Sequence, residues 1–161
     1  IAGDDRNEFL RGLARELSGR LRFDIFGMFG RPPVWGANYE RALAESKMAL
    51  NLNRKEEWPL YSSDRIAHLM GNGLLTFLSD RGGMRKFFGD SEAVFFHDAG
   101  DLREKILHYH ARDAERRAVA AAGRARYHRL FDGRRTLTFM LETLLNEPYS
   151  EPYEWADEVY R

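Results

Sequence analysis

YSSDRIAHLMGNGLLTFLSDRGGMRKFFGDSEAVFF, residues 61–96, decides the fold. Ser62 or Ser63 caps a helix over 64–70, and Gly71, Asn72 and Gly73 stop it, with Gly71 favoured as the C-cap. LLTFLS at 74–79 reads as a buried strand. A Ser79-Asp80-Arg81-Gly82-Gly83 loop, a short helix over 84–88 and a second strand, EAVFFH at 92–97, follow. Strands alternating with short helices predict right-handed βαβ units and a parallel sheet. Ligands of such sheets sit outside the carboxyl ends of the strands. The loops after Asn51, Ser79 and His97 are therefore the places to look.

The pattern extends in both directions. Asp4 caps a first helix whose apolar stripe is Phe9, Leu10, Leu13 and Leu17, and Gly19 ends it. LRFDIFG at 21–27 is an apolar run bounded by glycines and reads as a strand. Arg31-Pro32-Pro33 marks a loop. A short helix over 39–46 precedes the strand KMALNLN at 47–53, and 53–61 is a polar loop. Beyond His97 the strands stop. Helices are predicted over 98–111, from Asp113 to about Leu130, and over 134–145. The expected class is α/β, a three-layer α/β/α Rossmann-like parallel sheet with additional C-terminal helices. Residues 1–146 form the domain. Residues 147–161, with two prolines, three tyrosines and a tryptophan in acidic company, form an arm that packs on something, such as a neighbouring domain. Ile1-Ala2-Gly3 looks like the end of a strand, so the chain reads as a piece of something larger.

Composition narrows the function. The 161 residues suit one domain with a real core, and 43% hydrophobic with 31% charged content fits a soluble protein. Lys plus Arg and Asp plus Glu are both 25. That balance argues against a nucleic-acid partner. No apolar run is long enough to span a membrane. Cysteine is absent, so neither disulfides nor thiolate metal sites exist, and a cytoplasmic location fits best.

Arg65 is the most informative side chain. A helix start offers free N–H groups and the positive end of the dipole, where a cation is unfavourable by roughly 0.3–1 kcal/mol. Arg65 makes sense there if it shares an anion with those N–H groups, and a diphosphate is such an anion. The alternative is a surface pair with Asp64 or Glu57. Gly82 and Gly83 expose backbone donors next to Asp80 and Arg81, or simply make a βα turn. Gly73 permits close packing or close ligand approach. His68 shares a helical face with Arg65, and His97 ends a strand. No metal-ligand spacing and no nucleophile elbow appear, so neither metal nor other cofactor is expected.

From residue 39 to 145 the chain resembles the carboxy-terminal half of a GT-B-type glycosyltransferase. It is most similar to the group that includes the spore-maturation protein B-like proteins. The residues that carry this are MALNLN, Ser63-Asp64-Arg65, Gly73, Leu74-Leu75-Thr76, Asp80, FGDSEAVFF at 88–96, DLREKIL at 101–107, and Asp113 to Arg117 leading to Ala122-Gly123-Arg124. The resemblance implies two facing Rossmann-like domains, of which this one binds a nucleoside-diphosphate sugar and a missing amino-terminal domain binds the acceptor. Arg65 then neutralises the leaving diphosphate. Asn51, Asn53, Ser62, Ser63, His68, Gly73, Asp80, Arg81, Gly82 and Gly83 contact the donor. The family helix often carries Glu three residues after the Arg, to hold a ribose hydroxyl pair; here His68 stands there. This leaves two expectations: the donor half of a glycosyltransferase, inactive alone, or a Rossmann-like binding module that has lost the donor site.

Overall fold

The computed structural model describes residues 3–53, 59–61 and 64–158. In chain order the elements are α1 (Gly3–Leu17), α2 (Ala37–Glu45), β1 (Met48–Asn51), α3 (Asp64–Gly71), β2 (Leu75–Ser79), β3 (Val94–Phe96), α4 (Ala99–Ala111), α5 (Asp113–Leu130) and α6 (Gly133–Leu145). The three strands form one parallel sheet in the order β1-β2-β3, with Met48 opposite Leu75 and Phe77 opposite Val94. Helices flank it, as the α/β Rossmann-like reading requires.

The central strand explains why the sheet is covered on both faces. Every residue of β2, LTFLS, is buried. Leu75 and Phe77 join Val94 and Phe96 on one face, under Leu13 and Leu17 of α1 and Leu102 and Ile106 of α4. Leu78 and Phe95 point to the other face, against Ile66 and Met70 of α3, Met84, Phe87 and Phe88. The two-residue period of the strands thus sorts α1 and α4 from α3. No helix among the described residues is long and apolar enough to cross a membrane.

α5 lies under the amino ends of the strands. Buried Arg116 donates to the carbonyl of Lys47, just ahead of β1, at 3.0 Å. Arg124 donates to Gly71 O, ahead of β2, at 3.2 Å. Gly123 presses on the carbonyl of Glu92, ahead of β3, so closely that a Cβ would collide with it and crowd the Met70 methyl. One helix therefore closes one end of the sheet and leaves the carboxyl ends to the loops.

Two local readings are corrected. Residues 21–27 form no ladder and are not a strand. The segment does alternate, with Leu21 and Phe23 packed on the core and Arg22 and Asp24 outside in an ion pair of 2.7 Å. Burying one face satisfied the apolar pattern, and the backbone found no strand partner. The left-handed cap of α3 is Gly73, with φ of 78°, and Gly71 stays helical. Leu74 N–H reaches back to Leu69 O at 3.1 Å and Gly73 N–H to Met70 O at 2.9 Å, a paired closure that needs the positive φ two residues later.

The C-terminal arm packs on this chain's own helices. Arg135 of α6 holds Glu151 at 2.9 Å and Glu154 at 2.7 Å, with its guanidinium over the Trp155 ring. Trp155 stacks on Phe131, and Tyr153 donates to Glu142 at 2.9 Å. Lys86 meets Asp157 and Glu158. The Lys86 bond holds the Asp157 carboxyl below its usual range. Burial is the strongest single influence on Glu154 and pushes it up, but the bond from Arg135, a backbone bond and the charges of Arg135 and Arg126 together outweigh it, and this carboxyl too ends below its usual range.

Two outcomes follow. Gly123→Ala should cost about 1–3 kcal/mol of stability, whereas Gly12→Ala in α1, whose added methyl meets nothing within 4 Å, should be neutral or gain up to about 1 kcal/mol. Urea unfolding of the two variants checks this. The depressed carboxylates stabilise the docked arm above their ordinary pKa, and that stability fades as the pH falls through their folded values. In a Trp35→Phe/Trp58→Phe background, Trp155 fluorescence should thus hold steady near neutrality and shift from roughly pH 4 downward.

Candidate functional site

At the carboxyl end of β1 the chain buries two amides. Asn51 is 3% exposed and Asn53 8%. The Asn51 amide donates to Asn53 Oδ1 over a long 3.4 Å, and Asn51 Oδ1 has no partner among the described residues. A buried acceptor left unpaired carries a desolvation cost of about 1–3 kcal/mol, which a ligand donor would relieve.

The first turn of α3 meets this loop. Arg65 donates through Nη1 to Leu52 O at 3.0 Å and stays exposed. Among the described residues it makes no other side-chain hydrogen bond or ion pair, so most of its donors are uncommitted. No ion pair joins it to Asp64; Glu57, the other suggested partner, lies outside the described residues, as do Ser62 and Ser63. Gly82, from the loop after β2, completes the group: a Cβ there would sit 3.2 Å from Asn53 Nδ2. Its carbonyl accepts from Leu60 N–H at 3.0 Å. Asn51, Asn53, Arg65 and Gly82 are thus brought together from β1, α3 and β2.

The remaining predicted residues are distributed around this group or away from it. His68 is exposed one turn along α3, edge-on to Tyr39 of α2 at 5.4 Å. Burial, with help from Asp64 and opposed by Arg65, raises the Tyr39 phenol above its usual value. Gly83 has φ of 72° and joins two short 3-10 turns, against Leu60. Arg81 is exposed, and its N–H donates to Ser79 Oγ at 3.3 Å. Asp80 is engaged by Arg85 at 2.7 Å, which also holds Asp90 and lies over the Phe95 ring. Gly73 sits at the amino end of β2, facing Arg124 of α5, and does not join the group. His97 pairs with Asp101 at 2.9 Å and organises the start of α4. Among the described residues no three His, Asp or Glu side chains are grouped to hold a metal.

The model of the glycosyl transferase-like family matches residues 6–142. The chain belongs to that family. No curated protein and no solved structure matches it. Membership supports a role in glycosyl transfer, and the match spans every strand and all but the last residues of α6.

Sequence reasoning missed Tyr39, which meets His68 from α2, and Leu60, whose N–H bonds Gly82 O from the loop after β1. Tyr39 carried a signal, an aromatic near the start of a short helix. Leu60 carried none, since its role rests on a left-handed backbone, φ of 57°, that no sequence rule assigns to leucine. Replacing the orphaned amide with a near-isosteric apolar side chain tests the site. Asn51→Leu/Asn53→Leu, which removes the orphaned acceptor together with the amide that Asn51 bonds, should leave the stability of the unliganded chain unchanged or raise it by up to about 1 kcal/mol in urea unfolding, whereas Asn51→Leu alone should gain less because it orphans Asn53 Oδ1.

Proposed function

We propose that this chain is the donor-binding half of a glycosyltransferase of the spore-maturation protein B-like kind, and that it takes a nucleoside-diphosphate sugar. The observation that carries this reading is an arginine with uncommitted donors at a helix start, beside two buried amides at the carboxyl end of a parallel strand. Arg65 and the N–H groups that open α3 bind the diphosphate and stabilise the charge it gains as it leaves, without a metal. Arg81 and Gly83, on the turns around Gly82, add donors to the same ligand. Asn51 Oδ1 accepts a donor from the nucleotide or the sugar. His68, where the family often has Glu, hydrogen-bonds a ribose hydroxyl.

In the reaction the bond between the anomeric carbon and the diphosphate oxygen breaks, and its electron pair leaves with the diphosphate. The acceptor hydroxyl oxygen bonds that carbon and gives its proton to a base on the acceptor side, which a separate amino-terminal domain supplies. The contribution of this half is made mainly where charge develops, so it acts on the transition state more than on the bound substrate.

Calorimetric titration with UDP, GDP, ADP and dTDP, with and without magnesium, tests the proposal. One nucleoside diphosphate should bind saturably without metal. Arg65→Ala should weaken it by about tenfold or more at unchanged melting temperature, and Arg65→Lys should recover only part, because Lys lacks the bidentate fork. Absence of binding to all four, in this chain and in a two-domain protein, would mean that the donor site has been lost.

A further inference from the structure

A second cleft lies between α1 and the loop that follows residue 24. Arg11, Ala14, Arg15, Ile25, Phe29 and Arg31 line it, and its volume is about 370 Å3. It is not part of the group around Arg65. α1 packs on one face of the sheet through Leu13 and Leu17, and α3 on the other through Ile66 and Met70.

The charge of this cleft is unbalanced. Arg11 and Arg15 stand four residues apart on α1, a spacing at which like charges repel by a few tenths of a kcal/mol. Arg31 adds a third guanidinium from the loop. No carboxylate lines the cleft, and among the described residues none of the three arginines forms an ion pair. Of the carboxylates close by in sequence, Glu16 is held by Arg103 at 3.3 Å and Asp24 by Arg22 at 2.7 Å, and Glu8, three residues before Arg11 on α1, forms no ion pair with it.

The loop holds an aromatic ring at the same place. Arg11 lies over Phe29, 4.5 Å from its centroid, which leaves the edge of the guanidinium to donate. Phe29 is in the left-handed region at φ of 55°, between Gly27 at 70° and Gly30 at 77°. A bulky residue there costs about 1–2 kcal/mol. The turn is closed by Gly27 N–H to Pro32 O at 3.2 Å and Arg31 N–H to Met28 O at 3.0 Å. The fold thus bears strain that keeps an aromatic face beside three unpaired cations.

We propose that this cleft binds a phosphate or diphosphate ester with an apolar body. The phosphate oxygens take the guanidinium donors of Arg11, Arg15 and Arg31, and the body lies on Phe29, Ile25 and Ala14. A volume of about 370 Å3 is that of a small-molecule site and exceeds what a bare anion needs. Soluble organic phosphates and lipid headgroups share this chemistry. The site is independent of the donor reading above.

Octyl phosphate, below its micelle concentration, is the probe, titrated calorimetrically into the chain. It should bind one to one, and inorganic phosphate should bind about tenfold more weakly or less, since it cannot use the apolar wall. Arg11→Gln/Arg31→Gln should reduce octyl phosphate affinity about tenfold or more at unchanged melting temperature. Phe29→Gly, which relieves the backbone, should remove the preference for octyl phosphate over inorganic phosphate. Arg65→Ala should leave the binding as it was. Flotation with phosphatidic acid vesicles but not phosphatidylcholine vesicles would assign the source to a lipid headgroup; binding of octyl phosphate without flotation would assign it to a soluble ester. Failure to bind, binding unaltered in the double variant, or binding lost in Arg65→Ala would overturn the proposal.

Discussion

The contact between Gly123 and the Glu92 carbonyl sets the geometry of everything above it. With no side chain at that position, α5 can lie against the backbone that leads into β3. Having come that close, the helix reaches the other two strand entries with arginine. Arg116 takes Lys47 O and Arg124 takes Gly71 O. Arg116 is buried, and a buried guanidinium is tolerable only with partners; it has Lys47 O and Asp113. The bonds at the strand entries therefore do two things at once. They satisfy carbonyls that a short three-stranded sheet would leave open, and they fix the levels at which the strands start. A parallel sheet anchored at its amino ends delivers its carboxyl ends in register, with Asn51 opposite Leu78.

That anchoring explains why the candidate site can carry unsatisfied groups. Buried polar atoms without partners are a cost, and a marginally stable domain can bear few of them. Here the orphaned Asn51 Oδ1 lies at the carboxyl end of β1, opposite the strand entries that Arg116, Arg124 and Gly123 hold. The loops meeting there are held by the backbone bond from Leu60 to Gly82 and by one Arg65 Nη1 bond to Leu52 O, so the other Arg65 donors remain available. A site of this kind, rigid in its backbone and incomplete in its side-chain bonding, matches what binding a polar ligand demands.

The sequence carried the parallel sheet plainly, because β2 and β3 are continuous apolar runs of strand length between turn signals. The carboxyl-end rule pointed to the loops of Asn51, Asn53 and Gly82, and the helix start pointed to Arg65, and the fold brings these four near one another. Three things were hidden. The 21–27 segment has strand-like alternation, and whether a backbone partner lies beside it is a long-range fact that local pattern does not contain. Gly71 and Gly73 are equally good caps on composition, and only the bond from Leu74 to Leu69 distinguishes them. Asp80 looked like a ligand-facing residue in its loop, while five residues on Arg85 stood ready to engage it. In the first case the deciding partner lies outside the window in which the pattern was read; in the other two it lies inside, and only the folded geometry selects the bond that forms.

The arginines make the same point about charge. Net charge is zero, yet two groups of guanidiniums stand at opposite extremes. Arg116, Arg124, Arg126 and Arg135 are spent on carbonyls and carboxylates of the fold, at the sheet entries and under the C-terminal arm. Arg65, Arg11, Arg15 and Arg31 are not: the first makes one bond to a carbonyl, and the other three make no ion pair among the described residues. Formal neutrality thus conceals a division of labour. The structural set takes Asp113, Glu92, Glu151 and Glu154, other acids pair with other cations, and a cation left without a counter-charge attracts anions whatever the sum over the chain. Balance in the sequence argued against a polyanionic partner, which needs many cations in a row. It does not argue against small anions, for which a single loop and one or two guanidiniums are enough.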